Sequence, residues 1–331
     1  MSFYKGRNVL VAGGAGLMGQ NLTRRLLEEG AFVRATQHKE RRMTLQHKNL
    51  ETLQVDLLTE EGLQAAFKGM EIVFIVAARV GSAKSVAEGP SELILYNLEL
   101  QSKLIHWAAK MRLQRCGYVS SSYVYPDTKK ASREEEGFQG DPSSPTLYGL
   151  GWVKRYLETL CKHFQMTSDT DYAVVRPSTV YGPFDHFSLE AGHAIPALIV
   201  KAVNRMDPYE VWGNGRDVRS YLYVEDLVEG FLLAVRRYAI GEALNLSGRQ
   251  PCTIRDVVRV LLDYLEFRPQ VVYSTDRPSV APYKVSDPCR AKGLLRWEAR
   301  VGLEEGLKRT VDWYMEQQAG SLAAAGNSHV L

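Results

Sequence analysis

Cysteine is scarce and scattered. The chain has four in 331 residues, at Cys116, Cys161, Cys252 and Cys289, with no CxxC pair and no metal-ligand spacing. That excludes a disulfide framework or a cysteine-built metal site and points to a reduced protein. Long apolar runs are missing too: no stretch approaches ~18 residues, the least that crosses a bilayer as a helix. The opening run, Met1 to Val11, is too short for a signal peptide. Charge of one sign is also lacking. Lys and Arg total 41 against 38 Asp and Glu, a net +3, with both signs mixed along the chain, so no footprint for nucleic acid or an anionic membrane appears. A cytoplasmic protein without a metal centre is expected.

The sequence does hold a large apolar fraction, 45% against 24% charged, enough for one large domain or two closely joined ones. Its first half alternates. Asn8–Ala12 is a short apolar strand, followed by a glycine turn and a helical pattern over Leu17–Glu29 that Gly30 closes. Strands follow at Ala31–Ala35, Leu50–Val55, Ile72–Ala77, Gly117–Ser120 and Tyr172–Arg176. Helices fall at Glu60–Phe67, Glu92–Lys110 and Val153–Phe164. Strand–helix alternation with continuously apolar strands predicts an α/β, doubly wound parallel sheet of the Rossmann type, covered on both faces. Beyond Pro177 the alternation gives way to shorter elements, with helices at Thr253–Leu265 and Leu303–Gln317. Residues 1–176 are therefore read mainly as a nucleotide-binding domain and 177–331 mainly as a substrate-binding region, with later segments completing the sheet. The Ala/Gly/Ser-rich tail from Gly320 is expected to fray.

The turn after the first strand carries Gly13, Gly16 and Gly19 at G-x-x-G-x-x-G spacing. Glycine there permits a tight turn, close approach of backbone to a pyrophosphate, and close helix–sheet packing. Leu17 and Met18 open the helix whose N-terminus faces the anion. Placed between a first strand and a first helix, the pattern predicts a dinucleotide site. At the tip of the second strand, where an acid would hold the ribose 2′-hydroxyl of NAD, stands Gln37. The run from Arg34 to Arg42, including His38 and Arg41, is basic. A missing carboxylate with cations nearby favours a 2′-phosphate, hence NADP over NAD; an ordinary solvated basic loop is the alternative. Asp56, followed by Leu57, could accept from the adenine amino group or simply cap its loop. Ala77 and Ala78 close the fourth strand beside the same site.

Several segments together resemble the extended short-chain dehydrogenases that modify nucleotide-sugars. They are the glycine turn, Ala77-Ala-Arg-Val-Gly81, Ser120-Ser-Ser-Tyr-Val-Tyr-Pro126, Tyr148 with a following lysine, Arg176-Pro-Ser-Thr-Val-Tyr-Gly-Pro183 and Val211-Trp-Gly-Asn-Gly215. Within that class the chain is most similar to GDP-fucose synthases and GDP-mannose 3,5-epimerases. The resemblance implies redox chemistry on a nucleotide-diphosphate sugar, most simply at C4 of a GDP-linked 4-keto or 4-hydroxy sugar, and pairing of the helices Glu92–Lys110 and Val153–Phe164 with a twin subunit.

Such chemistry moves a proton at oxygen as hydride moves at carbon. A phenol, with a pKa near 10, does this when a cation lowers it. The resemblance assigns Ser121 to orient the carbonyl, Tyr148 as the phenol and a lysine four residues on. Here position 152 is Trp152, and the downstream pattern fits when Lys154 takes the lysine's place. A two-residue insertion at the helix start then either forms a bulge that lets Tyr148 and Lys154 converge, or weakens redox activity. His193 lies at the spacing where GDP-fucose synthases carry the acid for epimerisation. Their epimerising cysteine would be at position 123, where this chain has Tyr123, a far weaker acid than a thiol and so a poor base for a sugar C–H. Double epimerisation is therefore disfavoured. Tyr123, Lys201, Trp212 and Arg219 match substrate positions, the two cations suiting a diphosphate. Two other readings stand beside this one: an epimerase that retains NAD(H), and a catalytically weakened NAD(P)-binding sensor.

Overall fold

The computed structural model describes residues 2–38, 41–79, 91–142, 148–189, 192–275 and 281–326. Lys39 and Glu40 of the basic run, Val80 and Gly81 of the strand-end motif and residues 327–331 of the tail lie outside them.

Seven parallel strands form the centre: β1 (Asn8–Ala12), β2 (Phe32–Gln37), β3 (Leu50–Gln54), β4 (Ile72–Ile75), β5 (Arg115–Val119), β6 (Asp171–Pro177) and, much later in the chain, β10 (Ala243–Leu246). Their spatial order is β10-β6-β5-β4-β1-β2-β3. The apolar runs predicted the parallel sheet and its first six strands, but neither this order nor β10. Every residue of β4 is buried, as is all of β1 after Asn8, which a parallel strand requires when helices cover both faces. On one face lie α1 (Leu17–Glu28), α6 (Val224–Arg237) and α8 (Cys289–Leu295), joined through Leu22, Leu26, Phe231 and Leu295. On the other lie α2 (Glu60–Phe67), α3 (Ser91–Lys110) and α4 (Tyr148–Thr167), joined through Phe67, Leu104 and Leu157. Local chemistry sets the helix ends. Gly30, at φ +83°, follows α1 in the left-handed conformation that glycine adopts without steric cost. Thr59 caps α2 by accepting from the Gly62 N–H at 3.1 Å.

A second region stands over the C-terminal ends of these strands. In it β7 (Thr179–Tyr181), β9 (Val218–Tyr223), β11 (Pro251–Thr253) and β13 (Tyr283–Lys284) form one small sheet, and β8 (Tyr209–Trp212) pairs with β12 (Val271–Ser274). With α5 (Ala194–Val203), α7 (Ile254–Tyr264) and α9 (Leu303–Gly326) they enclose a core of their own, including Ile199, Tyr209, Leu261 and Val311.

Two features differ from the sequence reading. α4 begins at Tyr148 rather than Val153. α9 continues to Gly326, through part of the tail expected to fray. A third refines it: the later segments expected to complete the sheet are β10, α6 and α8, all beyond Pro177. Among the described residues, no helix is long and apolar enough to cross a membrane, and no three His, Cys, Asp or Glu side chains are grouped to hold a metal.

Candidate active site

The strand order reverses at β1, whose neighbours β2 and β4 lead to opposite edges, so a crevice opens at the C-terminal ends of β1 and β4. The glycine turn sits there. Gly13 has φ +95°, and a Cβ on it would lie 2.6 Å from the Ala77 nitrogen, so the turn can press against the end of β4 only as glycine. A Cβ on Gly19 would run into the Gly13 carbonyl, which is why α1 can lie so close to the turn. Gly16 is the N-cap of α1, and no side chain takes the helix's leading N–H groups; the first turn holds no acid. Those N–H groups and the positive end of the helix dipole remain available to an anion. Leu17 and Met18 are half-buried behind them. This cradle fits the pyrophosphate of a dinucleotide.

On the adenosine side, the chain after β2 folds back over the turn. The Gln37 side-chain oxygen accepts from Met43 N–H at 2.8 Å, and Gln20 Oε1 accepts from Thr44 N–H and Oγ1–H at 3.2 and 2.6 Å. Arg41 reaches across to His186 Nδ1, 2.6 Å away. Arg34 is committed elsewhere: it pairs with Glu51 at 2.8 Å and donates to the Lys68 carbonyl at the end of α2 at 2.7 Å. Among the described residues the basic run is thus left with His38, Arg41 and Arg42, all exposed. Asp56 Oδ1 accepts from Leu58 N–H at 2.9 Å, the loop-capping alternative, while Leu57 is buried. Ala77 is buried and Ala78 exposed. The Ala77 carbonyl accepts from Gln101 at 2.9 Å.

Ser121 follows β5, and its Oγ accepts from Tyr123 N–H at 3.1 Å. Of its neighbours, Ser120 is buried and donates to Glu158, and Ser122 is buried in the short helical turn Ser122–Val124. Lys154 reaches the same strand end from α4. Its Nζ donates to the Val119 carbonyl at 2.9 Å, Tyr118 Oη at 3.0 Å and Gln101 Oε1 at 3.1 Å, using all three ammonium hydrogens. Burial pushes its amine down to about 8, against the pull of Glu158.

The expected convergence of Tyr148 with Lys154 is not formed. α4 is regular from Tyr148 onward, with no bulge to absorb an insertion. Six helical residues turn the direction by about 240° and rise ~9 Å. Tyr148 instead shares a face with Trp152, ring centroids 6.3 Å apart, and with Tyr156; all three are exposed. The residue one turn before Lys154 on its own face is Leu150.

Opposite the strand end, His193 is the N-cap of α5, and its Nδ1 donates to Asp185 Oδ1 at 3.0 Å. That hydrogen bond holds the imidazole pKa above its ordinary value, against desolvation. Arg219, on β9, donates to the Val218 carbonyl at 3.0 Å and lies 3.4 Å from Asp217; its charge reaches the Tyr123 phenol. Lys201, on α5, donates to the Glu210 carbonyl at 2.7 Å. Trp212 ends β8, half-buried.

Sequence reasoning missed Asp185 and Lys284. Lys284 is register partner to Arg219, is buried, and donates to the Tyr125 carbonyl at 3.3 Å. Burial lowers its amine to about 8, with Arg219 pushing the same way and Asp127 opposing. A two-residue strand gives no periodicity to find it by. Asp185 could have been found, because it stands eight residues before a histidine already singled out.

The family model of the NAD dependent epimerase/dehydratase family matches residues 9–247. The chain belongs to this family. It is an enzyme of that NAD(P)-dependent kind, as the glycine cradle and the motif resemblance implied. Among similar sequences, a putative GDP-L-fucose synthase 2 from Arabidopsis thaliana is 26% identical, over 94% of this chain and 93% of its own. A GDP-mannose 3,5-epimerase 1 from Oryza sativa subsp. japonica is likewise 26% identical, over 98% and 87%. Among solved structures, a UDP-glucose 4-epimerase with UDP-glucose from Thermotoga maritima superposes with a TM-score of 0.84 at 25% identity, covering 94% of this chain and 99% of that one.

Proposed function

We propose that this chain is an NAD(P)-dependent oxidoreductase or epimerase of nucleotide-diphosphate sugars, acting at C4 of a GDP-linked 4-keto or 4-hydroxy sugar. The observation that carries the reading is the pairing of two half-sites across one cleft. Ser121 and Tyr123 follow β5 of the nucleotide-binding sheet, and Arg219 comes from the small sheet opposite, where its register partner Lys284 donates across to the Tyr125 carbonyl at 3.3 Å. A sugar held between them would place its diphosphate toward Arg219, Lys284 and Lys201, with Trp212 at the nucleoside end. A bound dinucleotide supplies or takes up hydride. Ser121 orients the carbonyl, Lys154 fixes the end of β5, and the Asp185–His193 pair holds a proton on the other side of the cleft.

NADP is the favoured cofactor, because Gln37 brings no carboxylate to the ribose and Arg41 and Arg42 stand nearby. A homodimer through α3 and α4 is supported by the exposed face of Tyr148, Trp152 and Tyr156 on α4 and by Leu95 on α3, itself 64% exposed; light scattering on the eluted protein tests it. A cytoplasmic location suits the buried free thiols Cys116 and Cys161. The epimerase with retained NAD(H) has an observation of its own: the segment after β2, fastened to Gln20, Gln37 and His186, covers the glycine turn.

The test is incubation with GDP- and UDP-linked 4-keto-6-deoxy sugars and NADPH or NADH in deuterated water, read by mass spectrometry. Hydride transfer to C4 without deuterium at C3 and C5 is expected, with NADPH bound at least ~10-fold more tightly. Two deuterons taken up rapidly would replace the reductase reading by a double epimerase. Isomerised product with cofactor already bound to the purified protein would favour the second reading.

A further inference from the structure

Reduction of a ketone to an alcohol needs an acid at the carbonyl oxygen, and the helix that would supply one presents no hydroxyl there. Tyr148 faces outward with Trp152, and Leu150 occupies the position one turn before Lys154. Lys154 does touch a tyrosine, Tyr118, but that residue is wholly buried and its hydroxyl donates to Gln101 at 3.0 Å. Tyr125 is equally buried and bonded to Asn245 at 2.6 Å. Tyr123 differs from both. It stands two residues after Ser121, is 38% exposed, and its hydroxyl makes no hydrogen bond among the described residues. The turn that carries it is held on two sides. Ser121 accepts from its N–H, and Gly151 of α4 leaves room for its carbonyl, since a Cβ there would lie 2.5 Å from that oxygen.

We propose that Tyr123, and not Tyr148, is the catalytic acid that protonates the substrate's carbonyl oxygen, beside Ser121 and facing Arg219. This rests on the ketoreductase reading above. As hydride from NAD(P)H forms the new C–H bond, the carbonyl π pair moves onto oxygen, the Tyr123 O–H bond breaks, and its proton forms the carbinol O–H. The phenolate left behind lies within the field of Arg219 and takes its next proton from water. Desolvation holds the phenol above its ordinary pKa while Arg219 opposes it. A group so placed stays protonated at neutral pH and gives its proton only to a strong base such as the nascent alkoxide. The same property makes it unfit to remove a C–H proton, so the residue that ends double epimerisation is the one that serves reduction.

The experiment uses the full chain, with a GDP-linked 4-keto-6-deoxy hexose and NADPH in single turnover. Tyr123→Phe is expected to slow NADPH oxidation by ~10²- to 10³-fold while NADPH affinity stays within about twofold. Tyr123→His restores part of the rate, but only at pH below the imidazole range. A second readout needs no turnover. In protein carrying ¹³Cζ-tyrosine, the resonance lost in Tyr123→Phe should titrate above pH 10, and higher still in Arg219→Gln. The proposal is overturned if Tyr148→Phe costs as much as Tyr123→Phe, if Tyr123→Phe keeps its rate, or if Arg219→Gln leaves the Tyr123 titration unmoved. A wild-type chain that oxidises NADPH with no nucleotide-sugar ketone overturns the ketoreductase reading and this inference together. Wild-type turnover that survives in Tyr123→Phe overturns the inference alone.

Discussion

Buried charge is handled in two ways on the two sides of the cleft. Beneath the nucleotide-binding sheet, Arg176 and Glu158 form a two-pronged pair at 2.9 and 2.6 Å. Ser120 donates to the same carboxylate, and Arg176 also reaches Tyr125 Oη at 3.0 Å and the Glu134 carbonyl at 2.9 Å. Even Gly137 belongs to the arrangement, because a Cβ there would collide with the guanidinium. On the substrate side, Lys284 and Arg219 are neighbours in register, and what holds them is largely backbone carbonyl. A matched buried pair fixes a structure. Adjacent cations held by carbonyls keep positive potential in a cleft, which suits a ligand that brings its own negative charge.

The comparison breaks first, if it breaks, at the matched pair. Glu158→Gln leaves Arg176 buried beside a neutral partner, and urea unfolding should register a loss of about 3–5 kcal/mol. A loss below ~1 kcal/mol would mean that this side is no more committed than the other. Arg219→Gln should do the reverse, weakening GDP binding by ~10- to 100-fold in calorimetry while the unfolding midpoint hardly moves. A smaller effect sharpens the account of Asp185. In Asp185→Asn, the His193 imidazole titration, followed by NMR, should drop toward the ordinary value. Because Asp185 raises the folded-state pKa, its stabilisation is present in full below the ordinary histidine range and fades as pH climbs above it. The gap between wild type and Asp185→Asn should therefore be wider at pH 5 than at pH 8. The smallest effect concerns Lys284. Burial holds its amine down at about 8, and an anion beside it would raise that value, so GDP affinity should fall by a few-fold between pH 7 and pH 9. The fall should vanish in Lys284→Met.

Much of the fold was legible because β1 and β4 are short apolar runs between helical patterns, and a buried parallel strand has no other way to look. β10 was not, since Ala243–Leu246 carries too few residues to show a period, and its place beside β6 is a matter of the whole sheet. The glycine turn was legible residue by residue, because its constraint is steric and local. The α4 site was not. Sequence spacing shows that Tyr148 and Lys154 are six apart, but whether a helix absorbs the excess depends on packing at Gly151 and along Trp152 and Tyr156, which spacing does not encode. Arg34 misled for a related reason: a cation in a basic run looks free until the C-terminus of α2 arrives beside it.

The late arrival of β10 has a consequence for a chain made from its N-terminus. When β6 leaves the ribosome, Val175 and Phe74 lie on a sheet face still waiting for α6, and the edge of β6 has no neighbour until β7, β8, β9 and α6 have been made. The first part of the substrate side, from β7 to β9, is therefore synthesised as a loop thrown out between two adjacent strands of one sheet, and it is tethered at both ends as soon as that sheet closes, while β11, α7, β12, β13 and α9 are added afterwards. A nascent chain stalled before residue 243 would expose a sticky strand edge to chaperones. One released just beyond the end of α8 would have its nucleotide-binding half complete, while the substrate side would still lack α9 and the Val311 it brings to that core.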